Sequence, residues 1–287
     1  MIRETSISRP VGDDFVATYK ELARGGIQAM EIAPWGWQHD KNKIDMKKVV
    51  AAIKEAGIRI NSYHMRFYDH DYCNISAADE HERAETVKAH SEIMRRMADL
   101  GVPIFTLHPG NEPILPEERE YRKDQSKKSL YALAQLAKEL GVRIAVEDLP
   151  RSCIGNSSRE LKELISVDDT IGICFDVNHL LKEDHLEFID RLGDKIITTH
   201  ISDYDFIDER HQMPGEGKIN WPELMKAFDR IGYKGVINYE THNGPLMERY
   251  NMDGYNLGRI LVRNHELLEA KKIPTYADYA DLNIEIG

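Results

Sequence analysis

The 287-residue chain is predicted to form a single (β/α)8 barrel with a metal site at the carboxyl ends of its strands. Three observations lead there. Short apolar runs alternate with longer stretches of helical periodicity. Eight such units fit a chain of the length usual for one α/β barrel. From the third run onward, each strand closes on a carboxylate or an imidazole.

The N-terminal run 2–8 is the weakest and leads into a helix over 15–24. It is followed by 27–33 (IQAMEIA) and a helix over 46–56, by 58–63 (IRINSY) and 77–100, and by 103–107 (PIFTL) and 117–140. The second half repeats the pattern: 142–146 (VRIAV) with 158–165, 171–175 (IGICF) with 183–192, 195–199 (KIITT) with 222–231, and 235–239 (GVINY) with 255–270. Ser157 with Glu160 and Asn220 with Glu223 read as capping boxes, while Gly57, Gly101, Gly141, Gly193 and Gly232 stand just past helix ends. Strands that are apolar throughout and separated by helices belong to a parallel sheet covered by helices. An open doubly wound sheet is the alternative, but no glycine-rich nucleotide fingerprint follows any strand. The barrel is expected to span 1–287 as one domain. Its last stretch, 273–287, is a C-terminal extension that can pack on a partner, so a homo-oligomer stays open.

Composition narrows the function classes. Apolar residues make up 41% and charged residues 30%, enough for a core and a well-solvated surface. No stretch approaches the roughly 20 consecutive apolar residues of a membrane helix, and the opening MIRETSISRPVGDD lacks the apolar core of a secretory signal. Cys73, Cys153 and Cys174 are too few and scattered for a disulfide framework or a zinc knuckle, so reduced thiols in a cytoplasmic protein are expected, Cys174 buried within its run. A net charge of −11 argues against nucleic acid and anionic membrane as partners.

Strand ends carry the chemistry. The third run ends in His64, the fourth in His108, the fifth in Glu147, the sixth in Asp176 with His179 three residues on, the seventh in His200 and the eighth in Glu240. In a barrel of this kind all of these converge at one mouth. Carboxylates and neutral imidazoles are the ligand types that suit Mn²⁺, Mg²⁺, Co²⁺ or Zn²⁺. Burying Glu147, Asp176, His200 and Glu240 together without a cation would be costly, which makes these four the metal ligands of choice.

At E-D-L-P (147–150), F-D-V-N-H (175–179), and H-I-S-D (200–203) followed by P-G-E-G-K-I-N-W (214–221), the sequence resembles the xylose isomerase-like TIM barrels. That group holds sugar and sugar-phosphate isomerases and epimerases as well as endonuclease IV-type enzymes acting on abasic DNA. The resemblance runs from GIQAMEIAP to GVINYETH. It implies a divalent metal on Glu147, Asp176, His200 and Glu240, with Mn²⁺ the first choice and Zn²⁺, Co²⁺ or Mg²⁺ as alternatives. It also implies that Glu147 and Glu240 double as catalytic acid and base. In the endonuclease branch a three-zinc cluster would add His64, His108, His179, Glu209 and His211. That branch's D-R-H stands here as Glu209-Arg210-His211. In the isomerases histidines at several of these positions contact substrate hydroxyls.

The remaining candidates are softer. Trp35 and Trp37 can close the barrel mouth or stack on a sugar ring, as can Phe67, Tyr68 and Tyr72. His242 reads as a ligand-supporting or a loop residue, and Asp203 as orienting a neighbour. Arg210 can hold a substrate oxygen, or an acidic neighbour such as Asp208 or Glu209. Around the mouth Asp40, Asp69, Asp71, Glu112, Asp148, Asp203, Asp205, Asp208 and Glu209 stand against Arg9, Arg66, Arg151 and Arg210. An acidic rim disfavours a DNA backbone or a highly phosphorylated substrate. The expected activity is therefore that of a metal-dependent sugar isomerase or epimerase taking a small carbohydrate ketose or polyol ketone. Glu147 and Glu240 would move a proton through an enediolate, with His64, His108, His179, His211, Arg210 and Trp35 on the substrate. The alternatives are a zinc phosphodiesterase on abasic DNA and a metal-dependent dehydratase or lyase of the same superfamily.

Overall fold

The computed structural model describes residues 3–9, 15–33, 44–67, 72–241, 244–249 and 252–285. Of the sequence candidates, Trp35, Trp37, Asp40, Tyr68, Asp69, Asp71 and His242 lie outside these residues. The parallel strands are β1 (Thr5–Arg9), β2 (Ala29–Ile32), β3 (Arg59–His64), β4 (Ile104–Leu107), β5 (Arg143–Glu147), β6 (Gly172–Asp176), β7 (Ile196–His200) and β8 (Ile237–Tyr239). They pair in sequence order around one 8-stranded sheet, and β1 also pairs with β8. The seam between β7 and β8 is held by Ile201, whose N–H donates to the Asn238 carbonyl at 2.8 Å and whose carbonyl accepts from the Glu240 N–H at 3.1 Å. The result is the predicted barrel, nearly closed.

Outside it lie α1 (Val16–Arg24), α2 (Met46–Glu55), α3 (Glu80–Asp99), α4 (Arg119–Leu140), α5 (Ser158–Ile165), α6 (His185–Leu192), α7 (Trp221–Arg230), α8 (Pro245–Arg249) and α9 (Gly254–Glu269). Asp45, Asp79, Ser157, Asp184, Asn220 and Asp253 each accept a backbone N–H from the first turn, so side-chain caps start most of these helices. The two expected capping boxes are only half formed. Glu160 turns instead to Arg119 and the Gly155 N–H, and Glu223 to Lys226. Gly141 closes α4 in the left-handed region at φ 68°, whereas Gly193 has φ −58°. A Cβ on Gly193 would come 2.9 Å from Ile231, so closeness of approach selects that glycine.

The C-terminal segment packs on the chain itself. A 3-10 turn over Tyr276–Leu282 folds back onto the chain's own α9. Arg263 donates to the Asp278 carbonyl and to Asp281, Arg259 donates to the Leu282 carbonyl, and Asn264 donates to the Tyr279 hydroxyl. Arg259 and Arg263 of α9 thus take up part of the acidic tail.

Side chains alternate across each strand, and the outward partners fix which residues face the axis. On β6, Phe175 stacks on Phe188 of α6 at 4.6 Å, which turns Cys174 and Asp176 inward. On β8, the Tyr239 hydroxyl donates to Asn264 of α9 at 2.8 Å, which turns Glu240 inward. Tyr63 packs beside Phe105 on β4 with ring centroids 6.2 Å apart, and His64 then faces the axis.

Candidate metal centre

The strand-end residues meet in one buried cluster. His200 sits at its centre, with Nδ1 3.2 Å from Glu147 Oε1, 3.1 Å from Glu240 Oε2 and 3.6 Å from Asp176 Oδ2. The donor atoms of Glu147, Asp176, His200 and Glu240 all lie within 4.8 Å of one another. Such spacing suits ligands placed about 2.0–2.2 Å from a shared cation. Asp176 Oδ2 supplies the test of fit: it is buried and accepts no hydrogen bond among the described residues. A buried carboxylate oxygen left without a donor needs a cation or a proton. Metal binding matches this donor set.

Two further groups adjoin. Glu147 Oε2 lies 3.1 Å from His64 Nε2 and 3.4 Å from His108 Nε2, so one carboxylate links His200 on one side to two imidazoles on the other. His64 Nδ1 donates to the Met65 carbonyl at 2.8 Å, which leaves Nε2 facing Glu147. His179 donates from Nδ1 to the Asp148 carbonyl at 2.9 Å, and its Nε2 lies 3.1 Å from Glu209 Oε2. His211 completes that third group.

Electrostatics follow from this crowding. Burial alone would raise the Glu147 carboxyl, but His200 and His108 hold it well below the usual carboxylate range. Glu240 is likewise buried and is lowered by His200. Asp176 goes the other way, raised by burial and by the neighbouring Glu240 and Glu147 carboxylates. Burial opposes a charged His200, yet Glu240, Glu31 and Glu147 lift it well above an ordinary imidazole. His200 therefore holds its proton at neutral pH when no cation is bound. A metal must displace that proton, so affinity is lowest in acid and rises as pH climbs past the ordinary imidazole value of about 6.5. Zn²⁺ affinity measured across a pH series should show this rise together with proton release, and a flat profile would contradict it.

Above the cluster opens a cleft of about 200 Å³, lined by these histidines and glutamates together with Phe67, Leu149, Pro150 and Cys153. The rim is paired rather than freely acidic. Arg151 binds Glu112, Asp208 and Glu209, clipping the loops after β4, β5 and β7 together. The Arg210 guanidinium binds an acidic neighbour, Asp205, its backbone N–H donates to Asn178, and the residue is not among those lining the cleft. Asp148 and Asp203 are fully buried and do not belong to the rim. Asp203 accepts from the N–H groups of Tyr204, Gly215 and Ile219 and from Trp221 Nε1, so it shapes the P-G-E-G-K-I-N-W loop. A Cβ on Gly217 would come 2.3 Å from Asp203, which explains the glycine in that loop.

Glu31 on β2 was not singled out in the sequence. It is wholly buried and lies 2.8 Å from His200 Nε2 through Oε1. The available signal was a carboxylate inside an apolar run, M-E-I-A. All three cysteines are buried and none is in a disulfide. Among the described residues no helix is long and apolar enough to cross a membrane.

Comparison with known proteins places this geometry. The profile of the family described as xylose isomerase-like TIM barrel matches residues 19–265. An uncharacterized protein of Methanocaldococcus jannaschii is 29% identical over 59% of this chain and 61% of its own length, so the chain spans less than two thirds of that relative. Fructoselysine 3-epimerase of Escherichia coli O157:H7 is 25% identical over 77% of this chain and 82% of its own. A probable endonuclease 4 of Acholeplasma laidlawii is 26% identical over 65% and 69%. Among solved structures, a D-tagatose 3-epimerase-like protein superposes with a TM-score of 0.75 at 21% identity, covering 93% of this chain and 98% of the other. At that identity the likeness is one of fold.

Proposed function

We propose that this chain, which belongs to the xylose isomerase-like TIM barrel family, is a ketose isomerase or epimerase acting by proton transfer through an enediolate. The observation that carries the reading is the placement of two buried glutamates on β5 and β8. Both approach His200 Nδ1 and both line the cleft. Two strands, β6 and β7, stand between β5, which ends in Glu147, and β8, which leads into Glu240, so their carboxylates reach a substrate from different sides. Both are held ionised, as a group that removes a proton must be.

When bound by Glu147, Asp176, His200 and Glu240, a divalent cation, Mn²⁺ first among the candidates, would supply Lewis acidity toward a carbonyl and its adjacent hydroxyl. One glutamate takes the proton from the carbon beside the carbonyl on one face, and the other returns a proton. His179 and His211, on the cleft wall, are placed to hold substrate hydroxyls, and His64 and His108 flank Glu147. The apolar wall of Phe67, Leu149 and Pro150 suits the carbon face of a sugar. The one arginine among the described lining residues is already bound to three carboxylates, which favours a neutral substrate over a phosphorylated one.

The test is to incubate a ketose library in D₂O with the protein and Mn²⁺ and follow NMR spectra. Deuterium gained at the carbon beside the carbonyl is expected. Loss of water with appearance of an unsaturated product would point to a lyase instead.

The two adjoining histidine groups favour a second reading, a zinc phosphodiesterase on abasic DNA. Among the described rim residues Arg151 and Arg210 are already bound to carboxylates, which leaves them little charge to offer a phosphate backbone. Duplex DNA with one abasic site and added Zn²⁺ should therefore stay largely uncut. Robust incision that disappears in His108→Ala would establish this second reading.

A further inference from the structure

Glu31 receives four side-chain hydrogen-bond donors, enough to fill the lone pairs of a carboxylate, and they come from four different strands. Oε1 receives the Ser8 hydroxyl of β1 at 2.9 Å and His200 Nε2 of β7 at 2.8 Å. Oε2 receives the Ser62 hydroxyl of β3 at 2.7 Å and the Thr106 hydroxyl of β4 at 3.0 Å. An ionised carboxylate only accepts, so a ring nitrogen facing it carries a proton. The β2–β3 register shifts between Met30 and Glu31, which sets Glu31 opposite Ser62, and the β1–β2 register sets it opposite Ser8. A register shift of this kind re-aims a side chain. Three hydroxyls thus fix the carboxylate, and the carboxylate fixes a ring.

We propose that Glu31 is a positioning residue for the metal centre. It holds one proton of His200 on Nε2, so that the proton an incoming cation displaces is the one on Nδ1, and it aims that nitrogen at the point where Glu147, Asp176 and Glu240 converge, and so sets that point's affinity for a divalent cation. The inference rests on reading this cluster as a metal site. A carboxylate behind a ligating imidazole fixes its tautomer and orientation and strengthens it as a donor. Without Glu31 the ring can rotate, or give up the Nε2 proton and keep the one on Nδ1, and an incoming cation would then meet an N–H where it needs a lone pair.

The experiment uses Zn²⁺ as the probe and the full chain. Zn²⁺ affinity is measured by competition with a chromophoric chelator, and the His200 ring nitrogens are followed by ¹⁵N-histidine NMR. Glu31→Gln keeps the shape and removes the charge, and should weaken Zn²⁺ binding about 10–100-fold. Ser6→Ala removes a buried β1 hydroxyl that serves Asn238 and not Glu31, and should bind Zn²⁺ close to the wild type. Zinc-loaded wild type should show Zn²⁺ on Nδ1 and the proton on Nε2, a readout that does not depend on any variant folding. Equal weakening in both variants would reduce Glu31 to a packing role and overturn the proposal. So would unchanged affinity in Glu31→Gln, or Zn²⁺ on Nε2. A wild type that binds no Zn²⁺ at all would overturn the metal reading and this inference together, which separates the two failures.

Discussion

Asp176→Ala should lose nearly all of the metal while keeping its fold. The substituted carboxylate ends β6 and contributes Oδ2, which accepts no hydrogen bond within the described protein, while Oδ1 accepts the Asn178 N–H at 2.8 Å. Removing it deletes a donor and loosens the turn that leads to His179. Loss of an outer-shell partner alone costs about 10–100-fold in metal affinity, and loss of a ligand should exceed the upper end of that range. The metal-free fold should tolerate the change. Burial and the adjacent Glu240 and Glu147 carboxylates press the Asp176 carboxyl upward, so deleting it relieves a strained like-charge cluster. Thermal melts should then show wild-type and variant close together without metal. With Mn²⁺ or Zn²⁺ in excess only the wild type should gain stability, since a ligand stabilises the folded state through its binding there. Elemental analysis of protein purified without chelator gives the direct measure. Full occupancy in Asp176→Ala would remove this residue from the ligand set.

The barrel was legible in the sequence because short, largely apolar runs alternate with helical periodicity and end in polar groups, a pattern that needs no long-range information. The strand ends were legible for the same reason. Once eight units close, His64, Glu147, Asp176, His200 and Glu240 must meet, and they do. What escaped depended on partners that sequence order does not reveal. Glu31 sits in mid-strand, and its importance lies in Ser8, Ser62, Thr106 and His200, which come from other strands. Arg210 neighbours Glu209 in sequence, yet the loop sends it to Asp205 and gives Glu209 to Arg151, from the loop after β5. Helix α8 is five residues long, too short for helical periodicity to mark it. The capping-box pattern at Ser157 was correct for the serine, while Glu160 found a stronger partner in Arg119.

Glu240→Gln should abolish deuterium exchange at carbon, with a loss on the order of 100- to 10,000-fold, the range expected for removing a general base. Of the two glutamates it gives the cleaner test. Glu147 lies against His200 and His179 through one oxygen and His64 and His108 through the other, so changing it disturbs every group in the centre. Glu240 faces His200 and stands on the cleft wall. A glutamine there keeps the shape and can still offer an oxygen to a cation, but it cannot take a proton. Metal content measured in parallel separates loss of the base from loss of the metal. Exchange lost with metal retained would assign Glu240 to proton transfer. Exchange lost in proportion to metal would make it a ligand alone, leaving Glu147 to act with another acid. Turnover of a ketose by the wild type with no solvent deuterium at all would mean that hydrogen moves directly from carbon to carbon, and the two-glutamate mechanism would then be wrong.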